Sequence, residues 1–146
     1  MIELLDLGDI ATALDVHRVQ LAAYRVEADL IGFDGIPPLH ETLDELRAEP
    51  LSWRGIRAEG SVVAALAATF DGDACDVDRL IVDPAHHRRG LGRRLMESVL
   101  HHAVVTVSTG EANTPAVALY ESLGFARVGR REIGPDVWTV QFRRSS

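Results

Sequence analysis

The chain has 146 residues, of which 47% are hydrophobic, 25% charged and 5% aromatic. That length fits one domain able to bury about 68–70% of its unfolded surface, and the composition excludes collagen-like, low-complexity and disordered classes. A net charge of −7 argues against general nucleic-acid binding, the single Cys75 excludes an internal disulfide, and no apolar run reaches the roughly 18 residues of a membrane helix.

Met1 to Leu5 reads as a first strand. Acidic residues stand where a secretion signal needs basic ones, so a cytoplasmic protein is expected. Asp9 is a plausible N-cap for a helix running to about Ile31, which Gly32 to Pro38 must break. A second helix is expected over Leu39 to Ala48, closed by Pro50. Strands follow at Ser52 to Ala58, Ser61 to Phe70 and Cys75 to Val82, joined by Glu59-Gly60 and Asp71-Gly72-Asp73 turns. Asp83-Pro84 stops the last of these, and a glycine-bearing loop opens a helix from about Arg89 to His102 with Leu91, Leu95, Met96 and Val99 as its buried stripe. Val104 to Ser108 is a β-branched strand and Thr114 to Ser122 a helix ended by Gly124. Phe125 to Ile133 and Val137 to Arg143 form a last pair around Gly134-Pro135. The crossover from Leu80 to Val107 implies a parallel pair inside a mixed α/β sheet.

All fifteen basic residues are arginines, and four of them (Arg88, Arg89, Arg93, Arg94) crowd beside His86 and His87. A basic island on an acidic protein suggests a locally bound anion. Gly90 and Gly92 leave the backbone bare at a helix N-terminus, where unpaired N–H groups and the helix dipole favour a diphosphate. Two better-known phosphate loops fail here. A P-loop needs lysine, and a dinucleotide fingerprint needs glycine where Leu95 stands. A second stretch, Asn113 to Phe125, opens with an N-cap and Pro115 and places Ala116 and Tyr120 on one helix face.

Together these stretches resemble the GNAT superfamily of acyl-CoA-dependent N-acyltransferases, and small bacterial members in particular. Leu80, Val82 and Pro84 resemble the ending of its L-x-V-x-P strand, and Gly90 and Gly92 the glycines of its [QR]-x-x-G-x-[GA] loop. His87 departs from the usual Gln or Arg. Asn113, Ala116, Tyr120, Gly124 and Phe125 match the N-x-x-A-x-x-x-Y-x-x-x-G-F signature. The likeness is strongest from about Ser61 to Arg143, and the order of elements extends it over residues 1–146 as a single domain, with 1–60 mainly on the acceptor side and 61–146 on the acetyl-CoA side.

The resemblance implies a mixed, mostly antiparallel sheet of six to seven strands with helices on both faces. Its central parallel pair, Asp78 to Val82 and Val104 to Ser108, would splay to admit a pantetheine arm. Leu80, Ile81 and Val82 would pair with that arm, and amides of Arg88, Arg89, Gly90, Leu91, Gly92 and Arg93, beside His87, would hold the diphosphate of acetyl-CoA. Asn113 would contact the cosubstrate or cap its helix, and Tyr120 would protonate the leaving thiolate. The base stays open among Asp78, Glu27 and Glu111. On the acceptor side, Tyr24, Glu27, Asp29, Pro37, Pro38 and His40 form a polar-aromatic cluster, with Tyr24 and Glu27 as candidate substrate contacts. The histidines show no ligand spacing with Cys75, so no metal is expected.

The implied activity is acetyl transfer from acetyl-CoA to a primary amine on a small molecule or peptide. The competing readings are a non-catalytic acyl-CoA sensor and a nucleic-acid binder using the arginine island. Tyr120 at the acid position favours catalysis, and no nucleic-acid or membrane partner is expected. Phe125, Val137, Trp138 and Val140 are candidates for a homodimer contact.

Overall fold

The computed structural model describes residues 1–146 and builds one seven-stranded sheet. In chain order its strands are β1 (Ile2–Leu5), β2 (Ser52–Ala58), β3 (Ser61–Asp71), β4 (Ala74–Val82), β5 (Val104–Gly110), β6 (Ala126–Gly134) and β7 (Val137–Ser145). They lie in the order β1-β2-β3-β4-β5-β7-β6, and only β4 and β5 run parallel. The helices are α1 (Ile10–Ile31), α2 (Leu43–Ala48), α3 (Leu91–Glu97) and α4 (Thr114–Ser122). The expected mixed sheet with one central parallel pair is therefore present.

Two cores sandwich the sheet. On one face Ala13, Val16 and Val19 of α1 pack with Leu46 of α2 on Val62, Ala65, Ala67 and Ile81. On the other, Leu91, Leu95 and Met96 of α3 and Val117 and Tyr120 of α4 pack on Val63, Ala64, Leu66, Val77, Val105, Val140 and Phe142. Phe125 and Val140 belong to this second core, at 5% and 0% exposure. They are thus buried within the chain itself, where a surface contact is expected of them: Val140 lies on β7, between β5 and β6 rather than at an edge, and Phe125, just before β6, packs its ring on Tyr120.

Two helices differ from expectation for local reasons. Pro37–His40 forms a 3-10 turn, and the helix starts only at Leu43, because Thr42 and Glu45 cap each other's backbone N–H groups in a capping box. Helix α3 stops at Glu97 instead of about His102, and the chain continues to His102 through i→i−3 bonds such as Val99 N to Met96 O. Its start is delayed to Leu91 because Arg88 and Gly90 both adopt left-handed backbone, at φ 65° and 72°.

Strand β4 carries a bulge. Its pairing with β3 jumps from Ala67↔Arg79 to Ala68↔Val77, leaving Asp78 without a partner. The packing agrees: Cys75 and Val77 share a core with Leu80 and Val82, while Arg79 and Ile81 turn toward α1. Only an inserted residue puts odd-numbered side chains before position 78 and even-numbered ones after it on a single face.

Candidate functional site

The bulge marks the place where the sheet opens. Strands β4 and β5 pair only over Ala74–Val77 and Val104–Val107, then part. Beyond that point Arg79–Val82 stays on β3, and Ser108–Gly110 stays on β7. The separated stretch of β5 is therefore Ser108–Gly110, not the expected Val104–Ser108, whose first four residues are hydrogen-bonded to β4. Ladder groups on the two facing edges have no partner across the gap, so an extended chain inserted there would find donors and acceptors in place. The gap opens into a cleft of about 1060 Å³.

On the face carrying α3 and α4, the cleft is walled by His86, His87, Arg88 and Gly90 to Arg93, with Asn113, Ala116, Leu119 and Tyr120 of α4. The backbone N–H groups from Arg88 through Arg93 donate to no protein acceptor, and the helix ladder begins only with Arg94 N to Gly90 O at 3.0 Å. Such a run of donors, exposed by two left-handed residues and flanked by arginines, fits a diphosphate. The glycines do different work. Gly90 supplies the left-handed turn, whereas a Cβ on Gly92 would lie 3.7 Å from Leu80, Val82 and Leu119 on the cleft wall. The Arg89 side chain lies outside the lining, against His86 Nδ1 at 3.2 Å, and Arg93 Nη2 donates to Ser122 Oγ at 2.6 Å. At the base of the loop, an N–H bond from Ala85 and the guanidinium of Arg18 hold the Asp83 carboxyl below its ordinary range.

On the opposite face the wall is Tyr24, Glu27, Leu30 and Ile31 of α1, followed by Phe33 and Gly35 to Pro38. Ile31 packs so tightly on Gly110 that a Cβ there would stand 2.6 Å from Ile31 Cγ2. Phe33 reaches the turn between β6 and β7, where a Cβ on Gly134 would meet its ring at 2.8 Å. Asp29 and His40 are not in the lining; His40 Nε2 instead meets Asp34 O at 2.5 Å.

The expected catalytic and substrate-contact groups fall into two classes. Tyr24, Glu27, Asp78 and Tyr120 all face the cleft. Glu111 does not, since both its oxygens are held by Arg130, at 2.6 and 2.9 Å. Glu27 Oε2 accepts from Thr109 Oγ1 at 2.8 Å and Asn113 Nδ2 at 2.6 Å. Asn113 simultaneously caps α4, its Oδ1 accepting from Ala116 N at 3.3 Å, so each end of its amide holds one partner. Tyr120 is 4% exposed, its ring centroid 5.9 Å from Phe125 and 5.6 Å from Phe142. Neither Tyr120 nor Tyr24 makes a hydroxyl hydrogen bond within the protein, yet no fully buried polar side-chain atom lacks a partner. Both hydroxyls therefore open into the cleft. Burial, reinforced by Glu27, pushes both phenols above their ordinary pKa, so they stay protonated through neutral pH.

One functional-looking group went unnoticed in the sequence. Arg79, 6% exposed, donates Nε to Asp78 Oδ2 at 2.9 Å and Nη1 to Gln20 Oε1 at 3.0 Å. It also grips Glu41 with both Nη atoms, at 2.5 and 3.0 Å. Burial alone would raise Glu41, but the bonds from Arg79 and Gln20 outweigh it and hold the carboxyl below its usual range. An arginine inside the apolar run Val77 to Val82 was the available signal; its partners were not. No three His, Cys, Asp or Glu side chains converge as a metal site, and no helix is long and apolar enough to cross a membrane.

Known proteins share this architecture. Residues 15–125 match the Acetyltransferase (GNAT) family model. The N-alpha-acetyltransferase RimI of Mycobacterium tuberculosis is 34% identical over 129 residues, covering 80% of this chain and 81% of that protein. UPF0157 protein YqkA of Bacillus subtilis is 35% identical over 131 residues, covering 87% of this chain but only 38% of YqkA. In fold, the ribosomal-protein-S18-alanine N-acetyltransferase of Escherichia coli superposes with a TM-score of 0.78 at 20% identity, over 99% of this chain and 92% of that one. The split parallel pair, the loop of free amides and the matched sequence lead to one assignment: the chain belongs to the GNAT acetyltransferase family.

Proposed function

We propose that the chain is an acetyl-CoA-dependent N-acetyltransferase acting on a primary amine, with the α-amine of a peptide as the first acceptor to test. The observation that carries this reading is the split between β4 and β5 ending at the unpaired N–H groups of Arg88 to Arg93. A flat pantetheine arm needs strand-like partners along its length and anion donors at its diphosphate end, and the cleft offers both in that order. Similarity to RimI of M. tuberculosis supports the α-amine.

In this reading the acceptor nitrogen attacks the thioester carbon, the C–S bond breaks, and the sulfur leaves as a thiolate that must gain a proton. Tyr120 is the donor, because its phenol is protonated and its hydroxyl is free to point into the cleft. A backbone N–H near Leu80, on the open edge of β4, faces the developing oxyanion. The incoming ammonium must lose its proton, and Asp78 and Glu27 are the cleft carboxylates able to take it, directly or through water. Tyr24 and Glu27 flank the acceptor on the α1 side. Asn113 caps α4 and orients Glu27.

The test is thiol release from acetyl-CoA with three acceptors: a free-α-amine peptide, its N-blocked form and a small alkylamine. Turnover with the first and none with the blocked peptide is expected. Absence of turnover with every amine, or no rise in melting temperature with acetyl-CoA, would overturn the reading.

A further inference from the structure

The polar cluster centred on Arg79 lies beneath the acceptor-side wall, where a sheet–helix interface is ordinarily apolar. Gln20 is 0% exposed, and the Arg79 and Glu41 side chains are 5% and 9% exposed. Such groups are kept inside only when every charge is matched, and this cluster is matched throughout. Its members come from three separate pieces of chain. Arg79 follows the β4 bulge, Gln20 lies on α1, and Glu41 closes the segment that follows the 3-10 turn. Gln20 Nε2 donates to both Pro38 O and Glu41 Oε1, each at 3.0 Å, and His17 Nε2 meets Glu41 O at 2.8 Å. The remaining guanidinium nitrogen, Nε, reaches out of the cluster to Asp78, whose side chain is 47% exposed and faces the cleft.

We propose that Arg79 is a positioning residue for acceptor binding. It ties the Pro37–Glu41 segment to the sheet at the point where β4 and β5 part, and aims the Asp78 carboxylate into the gap. One rigid fork thus sets the spacing between the acceptor wall and the split. Only arginine can do this, because its planar group offers donors in three directions at fixed angles, whereas lysine offers a point charge. Pro37 and Pro38 line the cleft directly. If the fork is lost, the acceptor wall drifts while the amide loop on the opposite face, which shares no hydrogen bond with this cluster, stays in place.

This inference rests on the acetyltransferase reading and is tested apart from it. Wild-type turnover with the peptide acceptor tests that reading; the variants test the inference. Arg79→Lys keeps the charge, and the pair Arg79→Met with Glu41→Gln removes both buried charges so that neither is stranded. For each, the KM for the peptide, the affinity for acetyl-CoA and amide hydrogen exchange over residues 36–42 are measured below the melting temperature. The expected result is a rise of about tenfold or more in peptide KM, within the roughly 10²-fold that misplacement by about an ångström can cost. Faster exchange over 36–42 and acetyl-CoA affinity within about twofold of wild type should accompany it. A merely structural role predicts a smaller active fraction with both affinities unchanged, and that outcome would overturn the proposal. Unaltered exchange over 36–42 would overturn it equally. An inactive wild type would instead refute the acetyltransferase reading beneath it.

Discussion

Tyr120→Phe isolates the proposed proton donor because the structure allows the hydroxyl to be removed and nothing else. The ring keeps its contacts with Phe125 and Phe142, and the hydroxyl has no protein partner to strand. Stability should therefore change by no more than about 0.5 kcal/mol. The rate should not be so lightly affected. General-acid assistance contributes roughly 10²–10⁴-fold, which at about 1.36 kcal/mol per decade is about 2.7–5.4 kcal/mol of barrier. A phenol whose pKa burial has raised looks at first a poor donor to a thiolate, whose parent thiol titrates near ~8.5 in water. Desolvation acts on the thiolate too: burial lifts the Cys75 thiol of this same protein to about 11. A thiolate formed against the Tyr120 hydroxyl is thus also a stronger base than in water, so burial raises donor and acceptor together and does not by itself disqualify the phenol. Initial rates of thiol release give kcat, and a melting-temperature titration gives acetyl-CoA affinity. Lower kcat with unchanged affinity and melting is expected. A variant within about threefold of wild-type kcat would remove Tyr120 from the mechanism.

Three further outcomes follow from burial and backbone geometry. The protein has two tyrosines, both with phenols raised above the free value near ~10, so the folded state holds those protons more tightly than the unfolded state. The stability this confers is complete below about pH 10 and is lost as pH climbs beyond it, so tyrosinate absorbance should appear together with unfolding; a free-phenol titration curve in the folded protein would contradict it. Cys75, 1% exposed with its thiol at about 11, should resist an aromatic disulfide reagent at pH 8 and react only on denaturation, which also keeps the thiol-release assay free of background; rapid labelling of native protein would disprove its burial. Gly92→Ala should stabilise by up to about 1 kcal/mol, since its Cβ has 3.7 Å of clearance from the side chains around it, whereas Gly90→Ala at φ 72° should destabilise by roughly 1–2 kcal/mol; equal melting temperatures for the two would refute this division of labour.

What could be read from the sequence was what is local along it. The amide loop depends on residues 80–95 alone: a strand stopped by Asp83-Pro84, then Gly90, then an apolar helical stripe that does bury Leu91, Leu95 and Met96. The Asn113 cap and the inward Tyr120 lie within eight residues of each other and were legible for the same reason. The bulge was not, because Asp78 is displaced only by its register against β3. Nor were the partners of Arg79, which lie 59 and 38 residues away, or the bond from Asn113 to Glu27 across 86. Side chains of arginine, glutamate and glutamine show no periodicity that distinguishes a buried match from a solvated face, so such pairings emerge only when the chain is folded. The helix errors have a nearer cause. Thr42 and Glu45 carried a capping box that would have placed the start of α2 correctly.

The texture of α1 follows from the split sheet beneath it. Over its first half the helix buries Ala13, Val16 and Val19 against continuous sheet, as an amphipathic helix does. From Gln20 onward polar side chains join the apolar Ala23, Tyr24 and Ala28 on the inward side: Gln20 bonds to the Arg79 cluster, and Glu27 to Thr109 and Asn113. Ile31 then closes on Gly110 at the far strand. Gln20, Glu27 and Ile31 stand seven and four residues apart, hence on one face of the helix. That face crosses from β4 to β5 at the place where the two strands have separated, so an apolar stripe there would meet a gap and lose its contacts. Polar side chains can reach to either edge and hold it by hydrogen bonds while leaving the space between open. The helix is therefore a brace across the split as well as a wall of the cleft. Gln20 thus holds the β4 edge through Arg79 and Glu27 the β5 edge through Thr109, and the helix that carries both spans the slot between them.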